Sequence, residues 1–300
     1  MPSVRETPKK GWDNALRIDA HHHLWRYEPL DYPWIGDDLA VLRRDFLPED
    51  LRAVMNLAKV DAAIAVQARP SLKETYWLLG QAADNATFCG VVGWVSLAMD
   101  ALSSLLDELA SRQKLVGFRE MTQDEPAGYL DQQQIQRGIA LLTARDYCYD
   151  LLIRSDQLIE ATHLVDRHPH QLFVLDHAAK PPIRAGRFEP WSSSLHDLAK
   201  RDNVVCKVSG LVTEADWNQW DPDTLRPYLD ALVEAFGPSR LLAGSDWPVC
   251  LLATDYQHWW TVLEQYFGSF SEDERRGIFG GNAQRVYRLF PTMDSAAVLP

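Results

Sequence analysis

The sequence has little of several features that define whole classes of protein. It carries 30 Lys and Arg against 42 Asp and Glu, so it lacks the excess of positive charge that binds a nucleic-acid backbone or an anionic membrane. No apolar run reaches the roughly 20 residues of a membrane-spanning helix. The N-terminus is polar and lacks the apolar centre of a signal peptide. These absences predict a small-molecule partner, with no nucleic acid and no membrane involved.

The chain is also poor in cysteine and in familiar catalytic motifs. Its four cysteines show no CxxC spacing and sit mostly inside apolar runs, which predicts buried reduced thiols in a cytoplasmic protein. The Walker A, HExxH, GxSxG and dinucleotide-binding patterns are all missing. Their absence disfavours a nucleotide hydrolase, a zincin, a serine esterase and a dehydrogenase. Hydrolysis by an activated water remains open.

Short apolar runs alternate with longer amphipathic stretches along the chain, and the runs contain too few polar residues for half-exposed strands. The predicted strands cover residues 16–20, 62–67, 88–95, 115–119, 148–153, 171–176, 203–209 and 240–245. The predicted helices cover about 48–59, 71–86, 100–112, 131–145, 155–168, 191–201, 223–236 and 272–289. Ser71 with Glu74 and Ser271 with Glu274 have capping-box spacing at two helix starts. Eight strand-helix units with right-handed crossovers predict an α/β fold, a single-domain (β/α)8 TIM barrel.

The barrel is predicted to fill residues 15–290, after an N-terminal extension at 1–14 and before a C-terminal tail at 291–300. No repeat, low-complexity tract or Gly/Ser linker divides this range, so a two-domain interpretation has no boundary. Two loop insertions are predicted, residues 25–47 after strand 1 and residues 178–191 after strand 6. Because the βα loops build the catalytic face of such a barrel, both insertions are expected on that face.

Polar side chains occur where several predicted strands end. His21 and His23 follow strand 1 and, two residues apart in extended chain, project to the same side. His177 follows strand 6 and Asp246 follows strand 8. Imidazoles and a carboxylate can bind a divalent ion, which lowers the pKa of a bound water toward about 7. Asp246 could accept the proton of that water.

These residues and motifs along nearly the whole chain resemble the amidohydrolase superfamily. The resemblance is to the branch of metal-dependent TIM-barrel hydrolases that contains sugar lactonases. It rests on residues 18–25, 32–34, 46–50, 66–68, 74–75, 116–119, 174–177, 180–181, 207–210, 244–248 and 282–287. As a set these motifs are highly specific, although single elements are not. The resemblance implies a TIM barrel that hydrolyses a lactone.

The resemblance also implies a metal site for one divalent ion, with zinc as the expected metal. Its predicted ligands are His21, His23, His177 and Asp246. Arg119 ends strand 4, where a carbamylated lysine would be needed for the binuclear centre of other superfamily members, so that centre is not expected. Some lactonases of this branch work without a metal, and metal-independent catalysis therefore stays open.

The predicted catalytic residues are Asp246, His177, Arg119 and Lys207. In this hypothesis Asp246 holds the attacking water, and His177 or Asp246 passes a proton to the ring oxygen. Arg119 and Lys207, at the ends of strands 4 and 7, polarise the carbonyl and stabilise the oxyanion. The alternative for these two cations is a structural ion pair with a carboxylate on a neighbouring strand.

The predicted substrate-binding residues are Trp25, Trp34, Trp247 and Gln67. An indole can stack on the apolar face of a sugar ring and donate its N–H to a hydroxyl. Packing in the core is an equal alternative for the tryptophans. Asp19 and Asp176 precede predicted ligands and are expected to face away from the barrel interior, so they are outside the predicted site.

The leading hypothesis for function is hydrolysis of a sugar-acid lactone, an aldonolactone of the L-fuconolactone type, to the aldonic acid. One alternative is a lactone from aromatic catabolism, of the muconolactone or pyrone dicarboxylate type. Such substrates carry several carboxylates and require further cations, with candidates at Arg69, Arg154, Lys180 and Arg184. A related barrel decarboxylase is another alternative. A non-catalytic binding barrel is disfavoured because all four predicted metal ligands are present.

Overall fold

The computed structural model describes residues 16–289. The predicted extension at 1–14 and tail at 291–300 lie outside the described residues. Eight strands form one parallel sheet in which each strand pairs with the next along the chain. They are β1 Ile18–His22, β2 Ala62–Val66, β3 Phe88–Gly93, β4 Leu115–Glu120, β5 Cys148–Leu151, β6 Phe173–Leu175, β7 Val204–Val208 and β8 Leu241–Ala243. The predicted (β/α)8 architecture and all eight strands are confirmed.

The sheet closes between β8 and β1. The amide of His23 donates to the Trp247 carbonyl oxygen at 2.7 Å, and the amide of Asp246 donates to the His21 carbonyl oxygen at 2.8 Å. Residues beyond the end of β8 therefore lie directly beside the end of β1. This closure brings the His21 and His23 segment next to Asp246.

Ten α-helices cover the outside and one end of the barrel in the described part of the chain. They are α1 Pro48–Ala58, α2 Leu72–Asp84, α3 Leu102–Leu109, α4 Gln133–Thr143, α5 Leu158–Arg167, α6 Trp191–Leu198, α7 Pro222–Phe236, α8 Tyr256–Tyr266, α9 Glu272–Arg276 and α10 Asn282–Val286. Both predicted N-caps form, because the Ser71 and Ser271 hydroxyls accept hydrogen bonds from the amides of Glu74 and Glu274. The reciprocal capping-box bond forms at Ser271 but not at Ser71, since the Glu74 carboxylate accepts from the Ala68 and Arg69 amides instead.

The sequence prediction was wrong at the C-terminal end of the barrel. Helix α8, capped by the Asp255 side chain on the His258 amide, was not predicted. The single helix predicted over 272–289 is divided into α9 and α10 by a π-turn at Gly277–Gly281. Within this turn, a Cβ on Gly280 would lie 1.9 Å from the Leu16 carbonyl oxygen. The backbones approach so closely here that the helix cannot continue.

The barrel interior is layered along the strands. Near one end, Cys148, Val174, Val205 and Leu242 pack with side chains of α10 and with Tyr287. Residues two positions apart in a strand point to the same face. Two positions after Cys148, Val174 and Val205 come Asp150, Asp176 and Lys207, near or just beyond the ends of β5, β6 and β7. The interior therefore changes from apolar to charged toward the carboxyl ends of the strands.

Two further findings concern the remaining sequence predictions. All four cysteines are buried and unpaired, as predicted. No helix in residues 16–289 combines the length and apolar character needed to cross a bilayer.

Candidate active site

The structure brings the four predicted metal ligands together at the carboxyl ends of the strands. Oδ1 of Asp246 lies 3.4 Å from Nε2 of His23, 3.7 Å from Nε2 of His21 and 3.8 Å from Nε2 of His177. The two Nε2 atoms of His21 and His23 are 3.2 Å apart. All four side chains are buried. Oδ1 of Asp246 thus lies within 4 Å of one nitrogen of each imidazole. The His21, His23 and Asp246 atoms form one compact group, and His177 groups with His21 and Asp176 in a second.

The other nitrogen of each imidazole has a partner that fixes its orientation. Nδ1 of His23 lies 2.8 Å from the Val66 carbonyl oxygen, and Nδ1 of His177 lies 2.9 Å from the Ser209 hydroxyl. Nδ1 of His21 lies 3.2 Å from Nζ of Lys207, which can only donate, and 3.3 Å from Oδ1 of Asp176. The Val66 carbonyl oxygen can only accept, so Nδ1 of His23 must donate there, which leaves Nε2 of His23 as the atom that can bind an ion.

Burial and neighbouring charges together set the protonation states of the cluster. Burial lowers the pKa of His177 to about 4 and the pKa of His21 well below its usual range. Burial alone would raise the pKa of Asp246, but His177, His23 and Lys180 hold it below its usual range. At neutral pH, His21 and His177 are therefore neutral and Asp246 is ionised. These are the forms that bind metal.

The donor set fits a divalent ion. Two ligand atoms on one tetrahedral zinc, each about 2.0–2.1 Å from the metal, lie about 3.3–3.4 Å apart. The His21, His23 and Asp246 atoms form such a group, with separations of 3.2, 3.4 and 3.7 Å. Nη1 of Arg119 also approaches Nε2 of His21 at 3.3 Å, but Asp176 offsets the guanidinium charge at 2.8 Å.

Backbone strain positions two members of the cluster. Residues His177 to Lys180 all have positive φ between 50° and 57°, and Asp246 has a φ of 57°. None of these residues is glycine, and left-handed conformations cost about 1–2 kcal/mol per residue. Strain of this kind concentrates at functional sites, where the surrounding structure enforces it. Here it turns the chain sharply at the ends of β6 and β8.

A buried charge cluster supports the site from below. Lys207 Nζ lies 2.5 Å from Oδ2 of Asp150 and 2.9 Å from Oδ1 of Asp176. Arg119 Nη1 donates to Oδ2 of Asp176 at 2.8 Å. The Tyr287 hydroxyl contacts both Asp150 oxygens at 2.9 and 3.0 Å. Two cations and two carboxylates balance each other without solvent.

The charges in this cluster are mutually stabilised. Burial would raise the pKa of Asp176, yet Lys207, His21 and Arg119 hold it well below its usual range. Burial would lower the pKa of Lys207, but Asp150 and Asp176 raise it. Burial raises the pKa of Asp150 to about 6, partly offset by Lys207. Lys207 is fully buried and paired with Asp150 and Asp176. This is the structural ion pair that the sequence left open as the alternative to an oxyanion contact.

A cavity of about 290 Å³ opens above the cluster of His21, His23, His177 and Asp246. It is lined by His23, Trp34, Ala68, Arg119, Met121, Gln123, Asp124, Leu152, Arg154, His177, Lys180, Asp246 and Val249. Trp34 is the one predicted substrate-binding residue on this wall, and its indole N–H donates to the Ala68 carbonyl oxygen at 3.1 Å. The predicted βα loops at 25–47 and 178–191 each contribute to the cavity, through Trp34 and Lys180.

The other three predicted substrate-binding residues do not line the cavity. Trp25 is fully buried and donates its indole N–H to the Arg44 carbonyl oxygen at 2.9 Å. The Trp247 ring packs against Phe46 with 5.1 Å between ring centres. Gln67 is buried and its side-chain amide donates to the Arg119 carbonyl oxygen at 3.1 Å. Trp25 and Trp247 therefore pack in the core, which was the alternative for the tryptophans. Gln67 supports the backbone of Arg119.

Comparison with known proteins agrees with this geometry. A sequence profile described as Amidohydrolase matches residues 18–289. The chain belongs to the amidohydrolase family. It is 43% identical to an L-fucono-1,5-lactonase of Burkholderia multivorans, over 92% of this chain and 97% of the relative. It is 38% identical to an L-fucono-1,5-lactonase of Burkholderia ambifaria, over 92% and 96%. A crystal structure of a Burkholderia multivorans amidohydrolase with bound zinc superposes with a TM-score of 0.88 at 44% identity, covering 92% of this chain and all of that one.

Sequence reasoning missed several residues of this amidohydrolase site. Asp176 was expected to face away from the barrel interior, but it is fully buried between Arg119, Lys207 and His21. The signal that could have found it is its spacing, because it lies two residues beyond Val174 on the inward face of β6. Asp150 follows the same rule on β5.

A substrate with several carboxylates would require further cations in the cavity of this amidohydrolase. Arg154 and Lys180 line the cavity, whereas Arg69 and Arg184 do not. Arg154 is paired with Asp124 at 2.9 Å, and Lys180 faces Glu214 at 4.0 Å. Because each added cation is accompanied by a carboxylate, the wall has no large excess of positive charge for several substrate carboxylates.

Proposed function

We propose that this amidohydrolase opens a sugar-acid lactone to its aldonic acid, with L-fucono-1,5-lactone as the favoured substrate. The observation that carries the proposal is the convergence of Asp246 with three imidazoles at the bottom of a small cavity that Trp34 borders. The two Burkholderia relatives named as L-fucono-1,5-lactonases support the choice of substrate. An indole beside a polar cavity suits a ring with one apolar face and several hydroxyls.

In the proposed reaction a water molecule attacks the lactone carbonyl carbon. Asp246 accepts a proton from the water as the new carbon–oxygen bond forms, and the carbonyl π electrons move to the carbonyl oxygen. Arg119, on the cavity wall, stabilises this oxyanion through its fixed positive charge. The carbonyl then re-forms, the ring carbon–oxygen bond breaks, and Asp246 returns its proton to the former ring oxygen, either directly or by way of His177.

We assign Lys207 a positioning role in place of the predicted oxyanion contact. Its ammonium group is held by Asp150 and Asp176 and does not line the cavity. Asp176 in turn contacts both Arg119 and His21. Lys207 therefore keeps the charge of Asp176 in place, and Asp176 orients Arg119 on the cavity wall and the predicted metal ligand His21.

The residues that would hold a metal are His21, His23, His177 and Asp246, and zinc is the proposed ion. A divalent ion at such a site lowers the pKa of a water ligand and polarises a carbonyl. The zinc-bound Burkholderia structure supports this assignment. The cytoplasmic location predicted from the sequence belongs to the same proposal, and four buried free thiols suit a reducing compartment.

The metal assignment predicts that metal-depleted protein takes up one zinc ion per chain in equilibrium dialysis. His23→Gln should weaken the uptake by at least about tenfold, because it removes one of the three imidazole ligands. His258→Gln, on the exposed face of α8, serves as the control and should bind zinc like the wild type. Equal zinc binding by the His23 variant would contradict the assignment.

Gly210 provides a test of how strictly His177 must be placed. Its φ is 65°, and a Cβ there would lie 2.5 Å from Nδ1 of His177. Gly210→Ala should lower kcat/KM for lactone opening by about 10²-fold, since small misplacements of a reacting group cost that much. Gly237 has the same φ of 65° with nothing within 4 Å of its Cβ position. Gly237→Ala therefore adds a side chain at the same positive φ without the collision. Similar activities of the two variants would contradict the proposed placement of His177.

The proposed function is tested with a panel of lactones followed by acid release. The wild type should open L-fucono-1,5-lactone far faster than the spontaneous reaction and other aldonolactones less efficiently. Pyrone dicarboxylate hydrolysis and release of carbon dioxide from a dihydroxybenzoate serve as arms for the two alternatives. Acceleration of either alternative in the absence of aldonolactone opening would overturn the proposal.

A further inference from the structure

Lys180 is the cavity cation with the weakest fixed partner. Arg119 and Arg154, the other two, have carboxylate oxygens at 2.8 and 2.9 Å. The closest carboxylate oxygen to Nζ of Lys180 within the described residues is Oε1 of Glu214 at 4.0 Å. That distance is too long for a hydrogen bond. Within residues 16–289, the ammonium group of Lys180 donates no hydrogen bond to a protein acceptor.

The backbone holds Lys180 against the catalytic cluster. It ends the left-handed turn that begins at His177, with φ 50° and ψ 70°, and its amide donates to the His177 carbonyl oxygen at 2.8 Å. Pro181 follows directly. The strain in this turn places the histidine and the lysine on one wall of the cavity. A lysine needed only for solubility would gain nothing from such a conformation.

The charge of Lys180 acts on the same groups as the proposed reaction. Its side chain is 23% exposed, so it lies largely outside bulk solvent. Lys180 contributes to holding the pKa of Asp246 below its usual range, against the effect of burial. Burial raises the pKa of Glu214, and Lys180 opposes that rise. The ammonium group therefore interacts electrostatically with the carboxylates of Asp246 and Glu214 without a hydrogen bond to either.

We propose that Lys180 is a catalytic residue, whose ammonium group donates a hydrogen bond to the lactone carbonyl oxygen and to the product carboxylate. This inference rests on the proposed lactonase function. As water adds to the carbonyl carbon, the π electrons collect on the carbonyl oxygen, and Lys180 stabilises that charge while keeping all its protons. When the ring carbon–oxygen bond breaks, the same oxygen becomes part of the carboxylate. Lys180 thus fills the oxyanion role that Lys207 is too deeply buried to fill.

Lys180→Met keeps the length of the side chain and removes its charge, and Lys180→Arg restores the charge. Lys180→Met should lower kcat for lactone opening by about 10²–10³-fold, the usual loss on removing one oxyanion donor. Product inhibition by the aldonate should weaken by at least about tenfold. Lys180→Arg should recover a substantial part of both. Lys59→Met is the matched control, since Lys59 is exposed and also left-handed with a φ of 54°.

Glu214→Gln separates this role from a merely structural one. If Lys180 acted only through its pairing with Glu214, removing the carboxylate would reproduce the loss seen in Lys180→Met. On the present inference Glu214→Gln keeps kcat within about threefold of the wild type. If Lys180→Met kept the wild-type kcat and product inhibition, or if Glu214→Gln lost as much kcat as Lys180→Met, the role of Lys180 would be overturned and the proposed function would not. A wild type that opens no lactone would overturn the proposed function as well.

Discussion

Asp246→Asn is expected to lower kcat/KM for lactone opening by about 10³-fold or more. The carboxylate lies 3.4–3.8 Å from three imidazole nitrogens, so it is placed both to bind an ion and to accept a proton from water. General base catalysis alone contributes about 10²–10⁴-fold. Asparagine tolerates the left-handed φ of 57° at this position. The variant therefore removes the charge and the proton acceptor while the backbone can stay in place.

Steady-state kinetics and thermal unfolding of the same preparations check this expectation. The variant should unfold within a few degrees of the wild type, which separates loss of chemistry from loss of fold. Asp100→Asn is the control, because Asp100 is fully exposed and its pair with Arg137 has a separation of 3.5 Å. A kcat/KM within tenfold of the wild type in Asp246→Asn would remove Asp246 from the reaction.

Lys207→Met should destabilise the protein by about 3–5 kcal/mol at pH 8, the usual loss on removing one partner from a buried ion pair. Methionine fits the space, but Asp150 and Asp176 would then face each other without the cation that lies 2.5 and 2.9 Å from them. Denaturant unfolding gives the measurement. Lys200→Met is the matched control, since the exposed Lys200 side chain pairs with Asp197 at 3.0 Å and its replacement should cost no more than about 1 kcal/mol.

The loss in Lys207→Met should also depend on pH. Burial already raises the pKa of Asp150 to about 6 with Lys207 present, and its pKa rises further without the ammonium group. A carboxyl whose folded-state pKa exceeds the unfolded value destabilises the fold at high pH, and this effect disappears as pH falls toward the unfolded value. The variant should therefore lose less stability at pH 5 than at pH 8. If Lys207→Met were as stable as the wild type at pH 8, the proposed role of Lys207 in the buried charge cluster would be contradicted.

The fold and the centre of the site were predictable because both depend on regular periodicity. The eight strands are continuous apolar runs, and a parallel barrel gathers their carboxyl ends at one rim. His21, His177 and Asp246 are far apart in sequence, but each directly follows or ends such a run. Their meeting therefore follows from the topology alone.

The remaining features depend on contacts that leave no periodic signal. The left-handed turn that positions Lys180 has no glycine to mark it. Trp25 and Trp34 lie in the same loop with similar sequence surroundings, yet one is buried and the other lines the cavity. Helix α8 was missed because its aromatic residues have low helix propensity. Its buried face packs Tyr256, Trp259 and Trp260, so tertiary contacts override that propensity.

Lactone hydrolysis in water labelled with a heavy oxygen isotope tests the central claim most directly. Asp246 is proposed to activate a water for attack on the carbonyl carbon of a sugar-acid lactone. Mass spectrometry of the aldonate should find one labelled oxygen in its carboxylate and none in the hydroxyl formed from the ring oxygen. Labelling should proceed at a rate proportional to the protein concentration. Label in that hydroxyl, or labelling no faster than in the protein-free reaction, would contradict the claim.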